Sequence, residues 1–149
     1  MAQNIKKIIA QEYLKCAKDP VYFMKKYCYI QHPTRGRILF ALYPFQEKVL
    51  QHFKDQQYII TLKSRQLGIS TLSAAYSLWL MVFHKDKNIL ALATTQSTAR
   101  NLVTKVIFMY DQLPKWLRLK SVEKNKLSLR LKNGSRIAAK SSNSDAARS

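Results

Sequence analysis

Apolar and polar positions along the chain alternate between helical and strand-like spacing, and each change of spacing marks an element. Ile5, Ile8, Ile9, Tyr13 and Cys16 recur at helical intervals and predict a first amphipathic helix. Asp19 followed by Pro20 supplies an N-cap and a proline at the first helical position, so a second, short helix should follow, with Phe23, Met24 and Tyr27 as its buried stripe. Residues 32–37, which include Pro33 and Gly36, read as a loop. Tyr43-Pro44 opens a third helix whose apolar positions are Phe45, Val49, Leu50 and Phe53. Tyr58, Ile59, Ile60, Thr61 and Leu62 form a β-rich run, and residues 72–83 are apolar on nearly every side, as in a helix buried all round.

A short continuous apolar run, residues 89–93, suits a central parallel strand. It ends in the polar cluster Thr94, Thr95, Gln96 and Ser97, where Ser97 can cap a further helix carrying Leu102, Val103, Val106, Ile107, Tyr110 and Leu113 and closed by Pro114. Beyond residue 120 a basic segment alternates over 126–131 and resumes over 136–139, and Asn133-Gly134 between them reads as a hairpin turn. Strand, helix, strand, helix implies an α/β fold with a parallel sheet, and such sheets place ligands in the loops after the carboxyl ends of their strands. With 149 residues and 47% hydrophobic content the chain makes one domain with a core of its own. No repeat or low-complexity linker divides it.

Chemistry enters at the loop between the β-rich run and the buried helix: Lys63, Ser64, Arg65, Gln66, Leu67, Gly68, Ile69, Ser70 and Thr71. A strand feeding a short turn at a helix N-terminus aims unpaired backbone N–H groups and the positive end of the helix dipole at one point, which suits phosphate. The match to Gly-x-x-x-x-Gly-Lys-Ser/Thr is incomplete. Gly68 holds the second glycine position, Ile69 stands where the lysine belongs, and Lys63 stands where the first glycine belongs. A lysine entering from the start of the loop can reach the same phosphates, so Lys63 is expected to supply the charge, assisted by Arg65. Ser70 or Thr71 could hold Mg²⁺ through a hydroxyl. The alternative is that both cations merely decorate a turn.

Gln46 offers a second candidate, because an amide presents a donor and an acceptor together and can pair with N6 and N7 of adenine while an aromatic such as Phe45 stacks on the base. The competing reading puts Phe45 in the core and leaves Gln46 exposed. Charge points the same way as the loop: 26 Lys and Arg against eight Asp and Glu give +18, which implies a polyanionic partner, nucleic acid above all. No segment combines a lysine-rich face, an apolar face and a lipidation signal, and no spanning helix is evident, so a membrane is not the expected partner. Cys16 and Cys28 have no partner cluster and are expected to be reduced and structural, and His32, His52 and His84 share no metal-ligand spacing.

Taken together, Leu42-Tyr-Pro-Phe-Gln46, the stretch from Lys63 to Thr71, Ala93-Thr-Thr-Gln-Ser97, and the Asn133-Gly134 hairpin leading to Ser141-Ser-Asn-Ser-Asp-Ala-Ala-Arg148 resemble the large terminase subunit of tailed double-stranded DNA phages, in its myovirus-like branch. Order and spacing match from about Asp19 onward. The resemblance implies the N-terminal ATPase domain of a DNA-packaging motor, with a RecA-like P-loop NTPase core. Residues 1–57 would form a helical segment with the adenine-recognition motif Phe45 and Gln46, and residues 58–149 a partial ATPase core. Lys63, Ser64, Arg65, Gln66, Leu67, Gly68, Ile69, Ser70 and Thr71 would be the Walker A loop binding ATP and Mg²⁺, with Lys63 and Arg65 catalytic; some members likewise place the lysine early. Thr94 to Ser97 would couple nucleotide state to DNA contact.

In the family a hydrophobic strand ending in Asp-Glu, the Walker B strand, follows the Ser-Asp-Ala-Ala-Arg segment, and a C-terminal endonuclease domain follows that. Neither lies in this chain, so the expectation is of a truncated core with little or no ATP hydrolysis of its own. The implied partners are double-stranded DNA, a portal protein, a small terminase subunit and further copies in a ring on the procapsid, in the host cytoplasm. Two other functions stay open: a non-enzymatic basic nucleic-acid-binding module, and a helicase-like ATPase.

Overall fold

A computed structural model describes residues 2–142. Its elements are α1 (Ala2–Lys18), α2 (Pro20–Tyr27), β1 (Tyr29–His32), β2 (Gly36–Leu39), α3 (Pro44–Asp55), α4 (Ile69–Phe83), β3 (Asn88–Ala93), α5 (Gln96–Gln112), β4 (Ser121–Lys124), β5 (Ser128–Leu131) and β6 (Arg136–Ser141). Four strands form one mixed sheet in the order β3-β6-β5-β4, in which β3 and β6 are parallel and the other pairs antiparallel; β1 and β2 make a separate antiparallel ribbon. α5 packs against the sheet through β3 and β6, and α4 packs against α5. The Ser-Asp-Ala-Ala-Arg motif lies outside the described residues.

The local signals act as physical chemistry requires. Asp19 Oδ1 accepts the Val21 N–H at 2.8 Å and Pro20 begins α2, so the second helix starts where predicted. Phe23 and Met24 are fully buried. Val103, Val106 and Tyr110 face the core from α5, with Leu113 buried at its C-cap, and Leu72, Leu78, Met81 and Val82 fill it from α4. The C-terminal half of α1 is tied down: Trp79 Nε1 donates to the Cys16 carbonyl at 2.8 Å, and Glu12 accepts from Tyr22 at 2.7 Å, Tyr27 at 2.8 Å and Lys26 at 2.6 Å. Those three donors hold the Glu12 carboxyl at about 2, the Lys26 bond contributing most. Cys16 and Cys28 are free thiols in the core, and burial pushes the Cys16 thiol up to about 11.

Several expectations change. The predicted loop over 32–37 is the turn of the β1–β2 ribbon, whose flanks pair from Tyr29↔Leu39 to His32↔Gly36; Gly36 takes φ +66 there. The predicted strand at 58–62 is irregular and unpaired, with Ile60 and Leu62 fully exposed. A β-propensity run becomes a strand only when a neighbour takes its backbone groups, and no described strand lies beside it. For the same reason β3 is an edge strand: it pairs with β6 alone, and Leu90 and Leu92 stay 51% and 57% exposed. Thr95, not Ser97, caps α5, because its Oγ1 accepts the Thr98 N–H at 3.3 Å while Ser97 already lies within the first turn.

The predicted hairpin is present as β5 and β6, with Gly134 at φ +85 in its turn, and it gains two partners that spacing had not revealed, β4 on one side and β3 on the other. Its turn also closes the end of α4. Asn133 Nδ2 donates to the carbonyls of Met81 at 2.7 Å and His84 at 3.1 Å, and the buried Ser135 hydroxyl donates to His84 at 2.8 Å. Helix-end carbonyls that would otherwise be orphaned are thereby satisfied.

Candidate functional site

The loop between residues 62 and 71 is shaped by two residues in left-handed backbone, Gln66 at φ 63 and Gly68 at φ 72. Gly68 is the N-cap of α4 and offers no side chain, so no side-chain oxygen covers the helix end. Leu72 N–H makes the cap bond to Gly68 C=O at 2.9 Å, which leaves the amides of Ile69, Ser70 and Thr71 in the uncapped first turn. No acidic residue lies in that turn, and the positive end of the dipole is uncompensated. The hydroxyls of Ser70 and Thr71 make no hydrogen bond with described residues. This is the arrangement in which a polyphosphate oxygen replaces the missing cap.

Lys63 and Arg65 flank the loop and are exposed. Lys63 Nζ donates to the Ser64 carbonyl at 3.2 Å, folding its ammonium back over the loop, and Arg65 makes no ion pair with described residues. Ser64 and Gln66 are exposed, while Leu67, Gly68 and Ile69 are half-buried. The three ion pairs among the described residues, Lys25–Glu47, Lys26–Glu12 and Lys124–Asp111, leave the loop cations without an acidic partner. No group of three or more His, Cys, Asp or Glu side chains gathers among the described residues. The loop therefore fits a triphosphate well, and its hydroxyls fit Mg²⁺ only as a supplement to oxygens that the nucleotide itself brings.

Gln46 and Phe45 exchange the places expected of the competing reading. Gln46 is 2% exposed and Phe45 is 39% exposed. Gln46 Oε1 accepts the Tyr43 N–H at 3.0 Å, and its Nε2 donates to the Leu67 carbonyl at 3.0 Å. The amide expected to read adenine is thus engaged on both sides by the fold, where it closes the start of α3 and ties α3 to the loop. It also explains Gly68 twice over, since a Cβ there would fall 2.8 Å from Gln46 Nε2. Phe45 stacks on Tyr43 with ring centroids 5.8 Å apart and planes 7° apart.

One cavity has no counterpart among the motifs of the sequence. It holds about 480 Å³ between the β1–β2 ribbon, α5 and the first turn of α4, and Gln31, His32, Thr71, Asn101, Lys105 and Phe108 line it. Its signal was present in α5: Asn101, Lys105 and Phe108 fall at helical spacing on a face apart from the core stripe. Phe108 sits outside that stripe. No protein-family model matches the chain.

Proposed function

We propose that this chain binds the triphosphate of Mg²⁺-ATP on the loop from Lys63 to Thr71 and is the ATP-binding part of a viral DNA-packaging motor of the large-terminase type. The single observation that carries the reading is the uncapped N-terminus of α4, with a left-handed Gly68 next to the Leu67 carbonyl that Gln46 holds and with Lys63 and Arg65 free of acidic partners among the described residues. In this reading the amides of Ile69, Ser70 and Thr71 cradle phosphate oxygens, Lys63 leaves the Ser64 carbonyl for the β/γ-phosphates, and Arg65 neutralises charge developing on the transferred group. Ser70 and Thr71 lend a hydroxyl to Mg²⁺.

Supporting the RecA-like form of the fold are the parallel pairing of β3 with β6 and the order α4-β3-α5 that follows the loop. Double-stranded DNA is the polyanion that the +18 charge would meet. A ring of copies on a portal, with a small terminase subunit, belongs to the same proposal.

Calorimetry with Mg²⁺-ATP tests the reading. Lys63→Ala should weaken binding at least tenfold, about 1.4 kcal/mol, and Arg65→Ala should weaken it less, both variants keeping the parent's thermal midpoint because the side chains are exposed. A folded chain that binds duplex DNA but no nucleotide would favour the basic-module reading, for which the uncompensated cations are the specific support.

A further inference from the structure

Gln46 is buried and bonded to Tyr43 and Leu67, and a cavity lined by other polar side chains shares Thr71 with the loop. Resting on the phosphate-loop reading above, we propose that the cavity between the β1–β2 ribbon and α5 is the nucleoside pocket, taking the base and ribose of the nucleotide whose phosphates sit on the loop. Thr71 belongs to both sites: it lies in the uncapped first turn of α4 and in the cavity wall, so a ligand can run from one to the other without crossing the core. The volume, about 480 Å³, lies within the ~300–1,000 Å³ usual for small-ligand pockets.

The lining has the chemistry a nucleobase needs. Phe108 is half-buried, faces the cavity and makes no ring contact with another described aromatic, so its face is open for stacking. The amides of Asn101 and Gln31 make no side-chain hydrogen bond among the described residues, in contrast to Gln46, and each can offer a donor and an acceptor to a base edge. His32 is fixed in one tautomer. Its Nδ1 accepts the backbone N–H groups of Thr34 at 3.3 Å and Arg35 at 3.2 Å, so the neutral ring carries its proton on Nε2 and donates from there. That N–H and the Lys105 ammonium, which has no acidic partner among described residues, suit the oxygens of a ribose. An apolar ligand would leave these four polar groups unpaired, and an anion alone would leave Phe108 without a purpose.

Calorimetry of Mg²⁺-ATP and Mg²⁺-tripolyphosphate on the full chain separates the base from the phosphates. The unmodified chain should bind ATP at least tenfold more tightly than tripolyphosphate. Phe108→Ala and Asn101→Ala should each erase most of that ratio while leaving tripolyphosphate affinity unchanged; Asn101 is exposed, so its variant keeps the fold even if Phe108→Ala does not. Equal affinity for the two ligands in the unmodified chain, or a ratio that neither variant moves, overturns the pocket and leaves the phosphate loop standing. Failure of both ligands to bind overturns the loop reading and the pocket together.

Discussion

Replacing Gln46 with alanine separates a residue that reads adenine from one that builds the loop. The side chain is buried and makes two hydrogen bonds, to Tyr43 N–H and to Leu67 C=O, each at 3.0 Å. Truncation leaves a backbone donor and a backbone acceptor without partners, at roughly 1–3 kcal/mol for each that stays dry. Leu67 is half-buried and water can reach part of the gap, which places the total at about 2–4 kcal/mol. For a chain of this size that corresponds to a fall of about 5–15 °C in the thermal midpoint. Because Leu67 precedes Gly68, the same change loosens the turn that presents the α4 amides. Affinity for Mg²⁺-tripolyphosphate and Mg²⁺-ATP should therefore fall together, by a common factor, in calorimetry run well below the midpoint. A variant that keeps the parent's stability and loses ATP but not tripolyphosphate would refute the reasoning and restore Gln46 as the base reader.

The hairpin turn permits a sharper test of packing. Gly134→Ala forces φ +85 on alanine and sets its Cβ 1.9 Å from Asp86 Oδ1, whereas Gly36→Ala at φ +66 meets open space. Urea unfolding should show the first losing about 2–4 kcal/mol and the second about 1–2; equal losses would mean that the Asp86 contact is immaterial. Burial, followed by the nearby Lys87, depresses the folded His84 below its ordinary 6.5, and its Nε2 is buried without a partner among the described residues. The unfolded chain thus binds the proton more readily, so stability is full above 6.5 and declines as pH falls below it, and His84→Gln should flatten the urea-midpoint profile between pH 7.5 and 5.5. An unchanged profile would remove His84 from the account. Leu92→Lys, on the open edge strand, should change stability by no more than about 0.5 kcal/mol while raising the monomer fraction in light scattering; greater association would contradict the edge assignment.

Helices were legible because their signals are local. Asp19-Pro20, Tyr43-Pro44 and the all-round apolar run of α4 need no distant partner to act, and each begins an element within a few residues of its predicted place. The hairpin was legible because Asn133-Gly134 carries its own turn geometry. Strand partners were not. The pattern at 58–62 has the composition of a strand, but composition does not supply a neighbour, and the pairing of β3 with β6 joins residues far apart in sequence. The loop was visible in Gly68 and its flanking cations, whereas the role of Gln46 was not. Its importance lies in a bond to Leu67, 21 residues away, and an amide looks the same in sequence whether it faces a base or a backbone. The cavity is a similar case, formed where a ribbon, a helix face and a helix end meet.

The central claim is that the amides at the start of α4 hold phosphate, and their nitrogen-15 chemical shifts report on this directly. Titrating the chain with Mg²⁺-tripolyphosphate should move the resonances of Gly68, Ile69, Ser70 and Thr71 most, saturably, and a short DNA duplex should leave them largely in place. If tripolyphosphate moves none of them while the duplex shifts the loop, the site grips nucleic acid and the ATP-binding account is wrong.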